Sequence, residues 1–152
     1  MIARVVFDCM VFLQGAGRPN SPAHACFRLV DDNKITLCLS PDILAEVWDV
    51  LTRPVVQRKF PLLSAESVEA FIHGAESKAI VVTDVPKTFT LERDPKDEPY
   101  LNLAIAIGSQ YLVSRDRDLL DLMADKTFLN QYPNLTILDP TAFLQEVATF
   151  EQ

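Results

Sequence analysis

Short apolar runs alternate along this chain with longer segments in which apolar residues recur every three or four positions. "IARVVF" (2–7), "ITLCL" (35–39), "IVVT" (80–83), "YLVS" (111–114) and "LTIL" (135–138) are brief and rich in branched residues. Such runs predict strands buried on both faces. The stretches between them predict helices. Ser21-Pro22 opens one over "SPAHACFRLVDD", with the serine as N-cap and the proline at the first helical position. Ala25, Phe27 and Leu29 are its expected buried residues. Ser40-Pro41 opens the next, "SPDILAEVWDVLTRP", which must end before Pro54. A short helical piece around Val55–Phe60 follows, then a helix over 64–79. A further helix over 97–108 is apolar nearly all round and stops at Gly108, and "PTAFLQEVATF" forms a C-terminal helix. Strands alternating with helices imply βαβ units. The predicted class is α/β, with three α/β/α layers around a mostly parallel central sheet.

The totals narrow the picture. A length of 152 residues suits one domain, 1–152, and 49% apolar content excludes a disordered chain. No run of about 18 uncharged apolar residues is present, so no membrane span is expected. The first residues lead into a strand without a cleavable signal pattern. Cys9, Cys26 and Cys38 are three in number, widely spaced and set among apolar neighbours. They predict free thiols in a reduced, cytoplasmic protein. Zinc is disfavoured, because there is no CxxC pair and there are only two histidines. The net charge of −7 argues against a nucleic-acid binder, unless the acids gather around a cation that reverses the local sign. The four glycines form neither GxGxxG nor a P-loop. His24 and His73 lie in helical segments, and no nucleophile elbow accompanies them.

The carboxylates carry the candidate chemistry. Asp8 closes the first strand, and Asp116 follows the fourth by two residues, in "SRDRDLL". In an open parallel sheet, sites form beyond the C-terminal strand ends. Glu46 borders the apolar stripe Ile43, Leu44, Val47, Val50 and Leu51, so it is the acid of its helix best placed to point inward. Asp97 lies at the start of the apolar helix in "ERDPKDEPYLNLAIA". Clustered carboxylates repel unless a cation joins them, and an all-oxygen set suits Mg²⁺ or Mn²⁺. One or two such ions can activate water for phosphodiester cleavage. Each acid also has a plain role open to it: a strand-end turn for Asp8, a solvated helix acid for Glu46, and helix N-caps for Asp94 or Asp97 and for Asp116. Asp118 reads as a surface acid of a helix starting near Arg117. An aspartyl nucleophile at Asp8, of the haloacid-dehalogenase type, would need a second acid at position 10, which is Met10.

With these residues in view, the chain resembles the PIN-domain family of metal-dependent ribonucleases, in its VapC-like branch of toxin–antitoxin toxins. The resemblance covers about residues 2–147. It rests on "VVFDCMVFLQG", "GRPNSPAHACFRLVDDNKITLCLSPDILAEVWDVLTRP", "RDPKDEPYLNLAIAIGSQYLVSRDRDLLDL" and "LTILDPTAFL". It implies that Asp8, Glu46, Asp97 and Asp116 hold Mg²⁺ or Mn²⁺ and serve catalysis on RNA, leaving 5′-phosphate and 3′-hydroxyl ends. It also implies a homodimer and a cognate antitoxin protein. Arg115 and Arg117 would contact phosphate, with exposed loop arginines as the alternative. Arg53, Arg58 and Lys59 read as solvated surface. The family pattern "DTN" is replaced here by Asp8-Cys9-Met10. A thiol and a thioether stand where a hydroxyl and an amide would orient the acids. That departure carries the alternative reading: a weakened or inactive PIN-fold protein that binds rather than cuts.

Overall fold

The computed structural model describes residues 2–150. Five strands form one parallel sheet: β1 Ala3–Phe7, β2 Ile35–Leu39, β3 Ile80–Val81, β4 Tyr111–Val113 and β5 Thr136–Leu138. Their order is β3-β2-β1-β4-β5. The chain therefore steps outward from β1 to β3, then returns to lay β4 on the other flank of β1. Right-handed crossovers with that reversal distribute helices over both faces of the sheet. This is the expected α/β fold, with the switch point between β1 and β4.

The helices are α1 Cys9–Gly17, α2 Pro22–Asp31, α3 Pro41–Leu51, α4 Pro54–Lys59, α5 Ala65–Lys78, α6 Glu98–Ala106, α7 Arg117–Leu120, α8 Lys126–Gln131 and α9 Pro140–Phe150. Ser21 and Ser40 cap α2 and α3 as expected, accepting from His24 N at 3.1 Å and Ile43 N at 3.2 Å. Gly108, just past the end of α6, has φ +60, the left-handed conformation that closes helices.

Two local expectations change, and two stretches left without an element form helical structure. The run after Asp8, which the pattern left without an element, forms α1, which buries Val11, Phe12, Leu13, Gly15 and Gly17. A short helix buried on most sides shows no polar–apolar period, so it cannot be told from a strand by pattern. In α2 the buried row is Ala23, Cys26, Phe27 and Val30, while Ala25 and Leu29 are half-buried. The third strand keeps only Ile80 and Val81, both exposed at the sheet edge, although Val82 N still donates to Leu39 O at 2.8 Å. After α7, a 3₁₀ turn (Asp121–Ala124) and α8 continue the chain. Asp125 caps α8, accepting from Thr127 N at 3.0 Å and Phe128 N at 3.2 Å.

Gly15 sits where α1 meets α2. A Cβ there would lie 2.5 and 2.6 Å from two ring atoms of Phe27. The ring cannot swing away, being held edge-on by Phe7, Phe12 and Phe71 at centroid distances of 5.1, 5.1 and 4.8 Å. Gly15→Ala is expected to cost about 1–3 kcal/mol, the usual penalty of overpacking, read as a lower urea midpoint with an unchanged slope.

Candidate functional site

The β1–β4 register pairs Phe7 with Val113, so Asp8 and Ser114 leave the sheet side by side. Asp8 is 3% exposed. It caps α1, its Oδ1 accepting from Val11 N at 3.1 Å. Its Oδ2 accepts from the Ser114 hydroxyl, and the same Ser114 Oγ accepts from Asp116 N at 2.9 Å. One buried serine thus links the acids of two strands. Burial pushes the Asp8 carboxyl up to about 6, and the Asp116 charge adds to that push. The hydrogen bonds from Ser114 and Val11 oppose it.

Asp116 caps α7, with Oδ1 accepting from Asp118 N at 2.8 Å and Leu119 N at 3.3 Å. A 3₁₀ turn, Pro95–Asp97, brings two more acids to it. Carboxylate oxygens of Asp94, Asp97 and Asp116 all lie within 4.8 Å of one another. Asp97 Oδ2 is buried with no hydrogen-bond partner. Asp97 is pushed up to about 8, first by burial, then by the charges of Asp116 and Asp94, by a hydrogen bond shared with Asp116, and by Asp8.

Three carboxylates this close cannot all be ionised alone. Either Asp97 keeps a proton near neutral pH, or a cation takes its place. The donors are all oxygen, which suits Mg²⁺ or Mn²⁺ in place of a soft metal. The orphaned Asp97 oxygen is a ligand atom in want of a partner, so the residues fit such an ion.

Glu46 stands apart from that group of three. Its Oε1 accepts from the Tyr100 hydroxyl at 2.5 Å. Tyr100 is buried in α6, three residues beyond Asp97. Burial, the Cys9 thiol beside it and the bond to Glu46 all push its hydroxyl above the ordinary tyrosine value. Cys9 lies beside both groups. Burial pushes its thiol up to about 12, helped by the charges of Glu46 and Asp8 and opposed by a hydrogen bond with Tyr100. Glu46 therefore meets Asp8 through Tyr100 and Cys9.

Asp94 was expected only as a cap. It is one, accepting from Lys96 N at 3.2 Å, but it also joins the carboxylate group. The signal lies in "DPKD": side chains at i and i+3 eclipse in a 3₁₀ turn, and Pro95 favours such a turn. Other candidates lie further out. Met10 is 44% exposed. Arg115 donates to Gln14 Oε1 at 2.8 Å, and Arg117 is exposed. Asp118 is held by Arg93 at 2.7 Å, and Arg93 also reaches Asp121 at 3.5 Å. Arg53 pairs with Asp49 at 2.7 Å one helical turn away, while Arg58 and Lys59 are exposed at the end of α4. All three cysteines are free, with Cys26 and Cys38 buried and Cys9 half-buried.

Residues 4–118 match the family profile described as a PIN domain. Over 148 residues the chain is 27% identical to MJ1680, an uncharacterized protein of Methanocaldococcus jannaschii, covering 97% of this chain and 93% of that one. Among solved structures it is similar to PAE2754 from Pyrobaculum aerophilum, with a TM-score of 0.58 and 16% identity over 97% of this chain and 90% of that one. At that identity the likeness is one of fold.

Proposed function

The chain belongs to the PIN-domain family, whose members are generally metal-dependent nucleases, and from that premise we propose that it is a Mg²⁺- or Mn²⁺-dependent endoribonuclease. In this reading Asp8, Asp97 and Asp116 hold the ion, Asp94 adds charge beside them, and Glu46 stands one step away, behind Tyr100 and Cys9. Two observations carry it together: Asp97 Oδ2 is buried without a partner, and Asp97 offers a carboxylate oxygen within 4.8 Å of oxygens of Asp94 and Asp116. Bound there, a divalent ion would lower the pKa of an attacking water and stabilise the leaving oxygen of the phosphodiester. The chain's own residues prepare the place. Ser114 fixes Asp8 by donating to it and fixes the Asp116 backbone by accepting from it. Tyr100 fixes Glu46. Incubating the protein with unstructured RNA tests the reading: cleavage with Mn²⁺ or Mg²⁺ that stops with chelator is expected, and intact RNA under every metal condition overturns it.

The toxin role belongs to the same proposal, with a cognate antitoxin and a homodimer as its partners. It rests on the resemblance of the acidic motifs. Induced expression should arrest growth, and a neighbouring small DNA-binding protein should relieve the arrest. Growth unaffected by an active nuclease would sink the toxin role and leave the nuclease standing. The Cys9-Met10 departure does not remove any of the acids. Cys9 packs with Tyr100 and Glu46, and Met10 faces solvent, so catalysis is favoured over a binding-only role.

Ser114→Ala is the sharpest probe of the support around the acids. Removing an outer partner of a metal ligand commonly costs about 10–100-fold in affinity or activity. A loss of that size in Mn²⁺ affinity is expected by calorimetry, with circular dichroism unchanged.

A further inference from the structure

Beside the acids lies a cavity of about 310 Å³, lined by Asp42, Val85, Pro86, Lys87, Pro95 and Pro99 among others. Pro95 and Glu98, also in the wall, lie on either side of Asp97 in the chain, so the cavity adjoins the turn that carries Asp97. Its size is at the lower end for small-molecule sites and is room for one nucleoside. Three prolines and a valine give it apolar walls. Asp42 and Lys87 both line it, yet among the described residues neither is engaged in an ion pair or a side-chain hydrogen bond. Two opposite charges facing one cavity without pairing leave both to a guest.

The cavity is built in advance. Its loop is pinned at Phe89, where Asn102 accepts from the backbone N–H at 2.7 Å and donates to the carbonyl at 3.2 Å. It is pinned again at Leu91, whose N–H donates to Glu98 Oε2 at 3.2 Å, and at Arg93 by Asp118. A held loop loses little freedom when a ligand enters.

Resting on the nuclease reading, we propose that this cavity is a nucleobase subsite of the same active site and that it selects guanine in single-stranded RNA. A carboxylate only accepts and an ammonium only donates. Every base has some donor and some acceptor, but guanine alone presents two parallel N–H donors, N1–H and N2–H2, to a single carboxylate such as Asp42, while its O6 and N7 stay open as acceptors for Lys87. A base seated here places its own phosphate toward Asp97 and Asp116, so cleavage should fall next to a guanosine.

The test has two arms. In the first, guanosine, adenosine, cytidine and uridine are titrated into the full chain with Mg²⁺ present and followed by NMR; nucleosides lack phosphate, so an ion at the acids contributes no contact. Guanosine should bind roughly tenfold or more tightly than the others, within the discrimination of one good two-point base contact. Asp42→Asn and Lys87→Ala, both at exposed positions, should erase that preference with circular dichroism unchanged. Equal binding of all four nucleosides, or none, overturns the subsite. In the second arm, cut positions are mapped on an unstructured RNA. Cleavage without guanosine preference overturns the subsite and leaves the nuclease reading intact. Guanosine-selective binding without cleavage under any metal overturns the nuclease reading instead.

Discussion

Asp116→Asn lowers metal-dependent RNA cleavage by at least about a hundredfold while leaving the fold in place, the scale on which single electrostatic partners of a reaction are felt. The asparagine keeps an Oδ1 that can accept from Asp118 N and Leu119 N, so α7 retains its cap. What it loses is the negative charge at the meeting point of Asp8, Asp94 and Asp97. Asn is neutral and offers one weaker oxygen, so a divalent ion loses both charge and geometry. Single-turnover cleavage in Mn²⁺ gives the rate, and far-ultraviolet circular dichroism checks the fold. Undiminished cleavage by a folded Asp116→Asn protein would remove Asp116 from the reaction.

The second large effect is on stability and reverses sign with metal. Asp8 is raised to about 6 and Asp97 to about 8, from an ordinary value of 3.8. Both therefore keep protons in the folded chain at pH values where the unfolded chain has released them. The folded state binds more protons, so stability is greatest below about pH 4 for these two groups and is lost as pH rises through about 6 and then about 8. Metal-free protein should melt at a lower temperature at pH 8 than at pH 5.5. Mn²⁺ at about 100 times its Kd should add about 2.7 kcal/mol at pH 8, a rise of roughly 5–10 °C for a domain of this size. At pH 5.5 the rise should be smaller, because protons compete for the same oxygens. Asp97→Asn removes the charge that burial penalises, so its metal-free Tm at pH 8 should exceed that of the wild type while its response to Mn²⁺ is lost. A wild-type Tm indifferent to Mn²⁺ across this range, measured by scanning calorimetry, would exclude a metal at these acids.

Much of the architecture could be read from residue order alone, because each signal is local. Ser-Pro at positions 21–22 and 40–41 starts a helix by capping chemistry that needs no partner. Gly108 stops one by its left-handed backbone. Four of the five apolar runs announce strands because a parallel sheet is dry on both faces, while the run at the exposed edge keeps only Ile80 and Val81. α1 escaped because burial on most sides erases the period that marks a helix. In α2 Phe27 is buried as expected, but Ala23, Cys26 and Val30 take the place of Ala25 and Leu29, because the helix packs on distant segments that no local pattern reveals. The site divided in the same way. Asp8 and Asp116 follow from strand ends and the switch point. The joining of Asp94 with Asp97 depends on a tight turn rather than a helix. The serine between Asp8 and Asp116 depends on a strand register, which no single segment specifies.

The ion pairs of Arg93 have a consequence for ionic strength. Arg93 lies on the loop that carries Asp94 and Asp97, and its partners Asp118 and Asp121 lie on and just beyond the helix that Asp116 caps. The two halves of the carboxylate group are thus stapled from outside by an arginine whose side chain is 64% exposed. Such contacts are weak and are screened within about 3 Å in molar salt. Concentrated salt therefore slackens the staple while leaving the repulsion among the buried acids nearly at full strength. The loop is held tightest in dilute electrolyte, where the acids' hold on a cation is also least screened.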